Sequence, residues 1–422
     1  MILASKKVEN LHGEIELPPS KSHTIRGLTI ALLAEGKSII KNPLLHGDCE
    51  SALNAIILMG ARVKKKNKSI VVKGTGGNIN PGKIYVGNSG TTLRIMTGVA
   101  GLQEGEFILD GDSSIRKRPM QPLIDSLNEL GAKAESRKGC APIKVRGRIA
   151  GGRTRITGES SQYLTSLLLS TPLAGQRTVI SVSRLNEIPY VEMTLSWLDE
   201  QGIKYRRKGM NEFIVEGNQR YKNFRKAIPA DWSASAFPIC AAAAVKSKVV
   251  LKGLSIKDTQ GDKRIIGFIE DMGGHISVRD REIAVDIKQL RGIDVDLNAY
   301  PDMLPALAVI GCFASGETVI RNVPQARIKE CDRIKAMCSE LRKMGAVVRE
   351  LKDGLEINQS MLKGAAVNGY NDHRVIMALA CAGMGAEGET VIKNARNIDV
   401  SFPAFVEKMN AMGAKIKLKN ES

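Results

Sequence analysis

Leu127-Asn128-Glu129-Leu130-Gly131-Ala132 reads as a helix ending and handing over to a strand, and the chain writes this ending six times. Its echoes include Ile57-Leu58-Met59-Gly60-Ala61, Met344-Gly345-Ala346 and Met412-Gly413-Ala414. With Gly202 and Gly273, the glycines stand 71, 71, 71, 72 and 68 residues apart. A helix commonly stops at a left-handed residue, a conformation that glycine adopts without a Cβ penalty. The period therefore marks one structural unit repeated six times.

A second glycine series runs out of phase with the first: Gly36, Gly105, Gly175, a gap filled near Ser247, then Gly316 and Gly388. β-branched runs follow, as in Gly316-Glu317-Thr318-Val319-Ile320 and Gly388-Glu389-Thr390-Val391-Ile392. One unit thus reads helix, strand, helix, strand. A chain of 422 residues exceeds what a single core serves, and six units divide into two sets of three.

Composition narrows the function classes. An apolar fraction of 43% supports real cores, yet no apolar run reaches the roughly 18 to 20 residues of a membrane helix; the longest, such as Val375 to Ala386, lie well inside the chain. Met1-Ile2-Leu3-Ala4-Ser5-Lys6-Lys7 has no apolar core after its charges, so no signal peptide is expected and a cytoplasmic location is. The seven cysteines, 49, 140, 240, 312, 331, 338 and 381, are scattered and never form CxxC, which points away from disulfides and zinc; Cys240 and Cys381 sit in apolar helical text as small hydrophobes.

The formal charge of +18 draws anions to the surface. Only 4% of residues are aromatic, few for stacking bases, and much of the excess is Lys on expected surface strands such as Lys64-Lys65-Lys66. Small anionic substrates are therefore expected, rather than nucleic acid or membrane.

The first helix of each unit is the more apolar one, and its approach is where the copies diverge. The approaches are Pro19-Ser20-Lys21-Ser22, Gly87-Asn88-Ser89-Gly90-Thr91-Thr92, Glu159-Ser160-Ser161-Gln162, Asp231-Trp232-Ser233, Tyr300-Pro301-Asp302 and Asn371-Asp372-His373-Arg374. Helix capping accounts for most of these Ser, Thr, Asn and Asp residues. It does not account for Lys21, Arg26, Arg94 and Arg374, cations in a first turn or two where the helix dipole disfavours them. An anion is expected nearby, and helix N-termini are ready anion sites.

Two other stretches carry charge. Arg116-Lys117-Arg118-Pro119-Met120 precedes a helix where Asp125 and Glu129 are the expected counterions, and Arg327-Ile328-Lys329-Glu330-Cys331-Asp332-Arg333 mixes signs. Glu330 and Arg333 have the spacing of a surface i, i+3 pair.

At these residues the chain resembles the 5-enolpyruvylshikimate-3-phosphate synthase family of enolpyruvyl transferases, over essentially its whole length. The most specific element is Gly87-Asn88-Ser89-Gly90-Thr91-Thr92-Leu93-Arg94. Pro19-Ser20-Lys21-Ser22 with Arg26, Arg118-Pro119-Met120, Ser160-Ser161-Gln162, Pro301-Asp302, Lys329-Glu330 to Arg333, and Asn371-Asp372-His373-Arg374 support it in order. The resemblance implies an α/β fold of two domains, three repeat units each, built as inside-out α/β barrels. Residues 18–229 would form the first domain and residues 1–17 with 230–422 the second, with the active site in the cleft between them.

The implied reaction transfers the enolpyruvyl group of phosphoenolpyruvate to the 5-hydroxyl of shikimate 3-phosphate and releases phosphate, in aromatic amino acid biosynthesis. Neither metal nor organic cofactor is implied, and a monomer is expected. By motif match Lys21, Arg118, Arg333 and Arg374 would hold phosphoenolpyruvate, with Gly90 leaving room and Arg94 and Gln162 nearby. Ser22 and Arg26 would take the shikimate carboxylate, and Ser160, Ser161 and Lys329 its phosphate. Gln162, Tyr190, Asp302 and Gln325 would meet the ring and its hydroxyls, with Lys21 also close to this substrate. Asp302 is the implied base for the 5-hydroxyl; Glu330 and Lys21 would move protons at C3.

Three positions depart from the family's common pattern. Glu187 stands where a phosphate-binding serine is common, and an anion there should repel phosphate unless its side chain turns away. Val400 replaces a frequent lysine, and Gln325 a frequent asparagine. The alternatives are a paralogue with another hydroxyl acceptor, the sister transferase acting on UDP-N-acetylglucosamine, or a protein like the RNA 3′-terminal phosphate cyclases. The sister family typically has Lys-Asn at Lys21-Ser22 and often a cysteine within residues 110–119, where this chain has none.

Overall fold

In the computed structural model, described here for residues 1–419, the chain divides into two compact units. One is Pro19–Pro229; the other joins Met1–Pro18 to the chain from Ala230 onward. The structure is mixed α/β throughout.

Each repeat is built on a four-stranded sheet, where the helix-strand reading allows two strands. In the second repeat Gly82–Tyr85 runs parallel to Glu106–Asp110, which pairs antiparallel with Cys140–Arg146, which pairs antiparallel with Lys133–Arg137. Among the described residues six sheets follow this four-stranded plan. The extra strands were hidden for two reasons. The leading strand is short, only Asp294–Asp296 in one repeat. The last two form a tight hairpin that reads as one segment, turning at Asn67 (φ 50°) between Arg62–Lys66 and Ser69–Lys73.

Segments at the ends of the units complete sheets that the repeats leave short. Arg225–Ala227 pairs parallel with Lys37–Lys41 of the first repeat. In the other unit Ile2–Lys6 lies between Glu389–Lys393 and Lys415–Lys419, and Glu14–Glu16 pairs with Lys248–Lys252.

The six first helices are Lys21–Leu33, Gly90–Ala100, Ser161–Ser170, Trp232–Ala244, Leu304–Phe313 and His373–Gly385. Nearly every residue in them is buried, as their all-round apolar text requires. The second helices are amphipathic; Gln121–Glu129 buries Leu123, Ile124 and Leu127 and turns its other face outward. Each unit therefore has its own core around three buried helices, with sheets and amphipathic helices outside.

All six glycines of the first series are left-handed, from φ 69° at Gly202 to φ 107° at Gly60. The second series is less uniform. Gly36, Gly105, Gly316 and Gly388 are left-handed, Gly175 is not, and in the gap Lys246 takes φ 52° in place of a glycine. The seven cysteines are free thiols, with Cys240 and Cys381 buried in helices. No described helix is long and apolar enough to cross a membrane.

Candidate functional site

Five of the six helix approaches are true side-chain caps. Ser20, Ser89, Ser160, Asp231 and Asp372 accept from the N–H groups of His23, Thr92, Gln162, Ala234 and Arg374 respectively. Asp302 is the exception. It lies in a short 3-10 turn, Pro301–Met303, ahead of Leu304–Phe313, a helix whose N-cap residue, Met303, makes no side-chain cap.

Asp302 instead joins a buried ion cluster in the unit that holds the chain termini. Its Oδ1 accepts from Arg333 Nη1 at 2.8 Å, and its Oδ2 lies 2.9 Å from Arg374 Nη2. Arg333, only 1% exposed, also donates through Nη2 to Glu330 Oε2 (2.6 Å) and through Nε to Asp372 Oδ2 (2.8 Å). Glu330 and Arg333 are thus bonded at the expected spacing, but Arg333 is buried and Glu330 half-buried rather than a surface pair. Burial opposes the charge of Arg333, and Asp372, Glu330 and Asp302 outweigh it, holding the guanidinium well above its ordinary range.

The elements around this cluster explain its order. Asp372 caps His373–Gly385 with Oδ1, bonding the N–H groups of Arg374 and Val375, while its other oxygen holds Arg333. His373 is the buried first residue of that helix. Tyr370 and Asn371 ahead of it both take positive φ, a turn pinned by Glu340, which accepts from Asn368 N–H and the Tyr370 hydroxyl. Cys331 touches Asp372 Oδ2 at 3.6 Å, and burial with that carboxylate pushes its thiol up, away from thiolate chemistry. Lys329 is half-buried just before Glu330. Gln325 is buried and donates to Asn298 O (2.7 Å), while its own Oε1 has no hydrogen-bond partner. Val400 is half-buried, its N–H bonded to Asn397 O.

The Pro19–Pro229 unit gathers a second set. Arg94 Nη1 donates to Gln162 Oε1 (2.7 Å), whose amide nitrogen reaches Thr91 Oγ1 (3.0 Å). Arg118 Nη2 donates to Asn88 Oδ1 (2.5 Å) and Ser114 Oγ (3.3 Å). Gly90 lies against both guanidinium groups; a Cβ there would stand 2.6 Å from Arg118 Nη1 and 3.1 Å from Arg94 Nη1. The glycine is thus a matter of room for two cations.

Several cations singled out in the sequence meet anions or acceptors of the chain itself. Lys21 pairs with Asp48 at 3.0 Å, a partner that no spacing signalled. Arg26 is 2% exposed and bonds Thr194 Oγ1, Ser22 O and Tyr190 O. Burial lowers its guanidinium to about 10. Arg116 pairs with Asp110, not with Asp125 or Glu129, which bond Gln121 and Thr154. Arg327 is taken by Asp332 and Glu350.

Glu187 does not turn outward. It is 2% exposed, and its Oε2 accepts from both the N–H (3.2 Å) and the hydroxyl (2.7 Å) of Ser161. Among the described residues no group of three or more His, Cys, Asp or Glu side chains is placed to hold a metal ion.

Comparison with known proteins shows the family. The family model for EPSP synthase (3-phosphoshikimate 1-carboxyvinyltransferase) matches residues 5–409. The chain is 47% identical over 413 residues to the 3-phosphoshikimate 1-carboxyvinyltransferase of Ruminiclostridium cellulolyticum, covering 97% of this chain and 98% of the relative. It is 42% identical over 428 residues to the protein of the same name from Methanocaldococcus jannaschii, with 99% and 100% covered. A solved structure of EPSP synthase from Acinetobacter baumannii is similar with a TM-score of 0.81 at 25% identity, over 99% of this chain and 100% of that one. With the family matched across nearly its whole length, the chain belongs to the EPSP synthases (3-phosphoshikimate 1-carboxyvinyltransferases).

Proposed function

We propose that the protein transfers the enolpyruvyl group of phosphoenolpyruvate to the 5-hydroxyl of shikimate 3-phosphate, releasing phosphate in the shikimate pathway. The observation that carries this reading is Asp302 bridging Arg333 and Arg374, with Glu330 on the same guanidinium. Two permanent cations suited to a phosphate and a carboxylate stand beside two carboxylates suited to proton transfer.

Protonation of C3 makes C2 of phosphoenolpyruvate electrophilic. The 5-hydroxyl oxygen then bonds to C2 as its proton passes to a base. The tetrahedral intermediate returns to an alkene when C3 gives up a proton and the C2–O bond to phosphate breaks. Asp302 is assigned as the base for the hydroxyl, and Glu330 with Lys21 as the groups that move protons at C3. Lys21, Arg94, Arg118, Gln162, Arg333 and Arg374 bind phosphoenolpyruvate, with Gly90 keeping its space clear.

Ser22 and Arg26 take the acceptor's carboxylate, Ser160, Ser161 and Lys329 its phosphate, and Gln162, Tyr190, Asp302 and Gln325 its ring, with Lys21 nearby. Arg26 contributes from a fixed position, since Thr194 and two backbone carbonyls already orient it. The enzyme is read as cytoplasmic and as a monomer, and light scattering checks the second of these.

The test is phosphate release from phosphoenolpyruvate with and without shikimate 3-phosphate. Acceptor-dependent release is expected, and Asp302→Ala or Glu330→Gln should lower turnover by about a hundredfold or more, the usual worth of a positioned acid or base. No acceptor-dependent release sinks the reaction; near-native turnover in either folded variant sinks that residue's role.

A further inference from the structure

Glu187 precedes the helix Ile188–Glu200 in a left-handed conformation, φ 58° and ψ 39°, uncommon for a residue with a side chain. Its carboxylate is buried, and its Oε2 accepts two hydrogen bonds from Ser161, the first residue of the helix Ser161–Ser170. The first amides of a helix lack partners within it and carry the positive end of its dipole. Ser160 Oγ takes one of them, that of Gln162. The Ser161 amide and hydroxyl, the remaining donors named here, are already held by an anion that the chain supplies.

We propose that Glu187 is a specificity-setting residue: its carboxylate stands in for the acceptor's phosphate at Ser161, and an incoming phosphate must displace it. This rests on the reading above that Ser160 and Ser161 receive that phosphate. Two anions on the same donors repel each other strongly in a buried setting, so one must leave. The carboxylate therefore subtracts from the affinity of a phosphorylated acceptor. It leaves untouched an acceptor that presents no phosphate to Ser161.

That asymmetry is the test. Calorimetric titration of the wild type, Glu187→Ser and Glu187→Gln with shikimate 3-phosphate, and separately with unphosphorylated shikimate, reads it directly. Glu187→Ser should bind the phosphorylated acceptor about tenfold tighter, the worth of one charge-assisted hydrogen bond no longer contested. Glu187→Gln keeps an acceptor for Ser161 but drops the charge, so it should gain about threefold on the same scale and decides the matter if Glu187→Ser does not fold. The affinity for shikimate should stay the same throughout. Unchanged or weaker binding of shikimate 3-phosphate in a folded variant, with wild-type turnover intact, overturns the role of Glu187 alone. A wild type that does not bind shikimate 3-phosphate overturns the acceptor reading with it.

Discussion

Replacing Gly90 by alanine tests whether the room beside it serves the donor substrate. The new Cβ would stand 2.6 Å from Arg118 Nη1, and ordinary contact begins at 3.4 Å, so that guanidinium must retreat by about 0.8 Å. Arg94, at 3.1 Å, must give by about 0.3 Å. Arg118 is also tied through Nη2 to Asn88 Oδ1, so the retreat breaks or bends that bond too. An anion bound to Arg118 would lose a charge-assisted hydrogen bond worth about 1.5–3 kcal/mol, raising KM for phosphoenolpyruvate by roughly ten- to a hundredfold.

The fold should not suffer. Gly90 opens the helix Gly90–Ala100 without a positive φ, where alanine is favoured over glycine by up to about 1 kcal/mol. The assay is steady-state kinetics at saturating shikimate 3-phosphate, alongside a thermal melt. A KM within twofold of wild type in a variant with unchanged Tm would refute the placement of phosphoenolpyruvate on Arg118.

Two predictions concern stability. Asp372→Ala removes a helix cap and leaves Arg333, 1% exposed, short of one partner; urea unfolding should show a loss of about 3 kcal/mol or more, and Asp372→Asn a smaller one because its Oδ1 still caps. A loss under 1 kcal/mol for the alanine variant would mean that Glu330 and Asp302 hold Arg333 unaided. For Glu340, burial alone would push the carboxyl up, but Lys343, the Asn368 N–H and the Tyr370 hydroxyl hold it below its ordinary 4.5. A carboxyl depressed in the folded state contributes stability that is complete above its unfolded value and lost as pH falls through its folded value. The Tm gap between wild type and Glu340→Gln should therefore be flat down to about pH 4.5 and close below it; a gap that widens in acid would refute the assignment.

The glycine period was legible because it reports a backbone demand that few other residues meet, and Gly60, Gly131, Gly202, Gly273, Gly345 and Gly413 all meet it. Where another residue can meet the demand, as Lys246 does, the signal drops out. Strand number was not legible, since the hairpin pairs such as Arg62–Lys66 with Ser69–Lys73 carry their charges on an exposed edge and blur the alternation that marks a strand. In the candidate site, residue types could be read in order but their partners could not. Asp302 with Arg333, Lys21 with Asp48, and Ser161 with Glu187 lie 31, 27 and 26 residues apart, distances over which spacing carries no information about contact. Capping residues and site residues also look alike in sequence; only the geometry separates Asp231, which caps its helix, from Asp302, which pairs with Arg333 and Arg374.

The Pro19–Pro229 unit begins and ends within one hydrogen bond, Ser20 N–H to Pro229 O at 2.8 Å. In the other unit Asp231 N–H reaches Pro18 O, also at 2.8 Å. Each unit is thus a loop already closed on itself. A chain running straight from Pro18 to Ala230 would need no new backbone path, and residues 19–229 could be circularly permuted by a short linker across their own ends. The molecule is cut, in effect, along a seam where one half can be read as an insertion into the other.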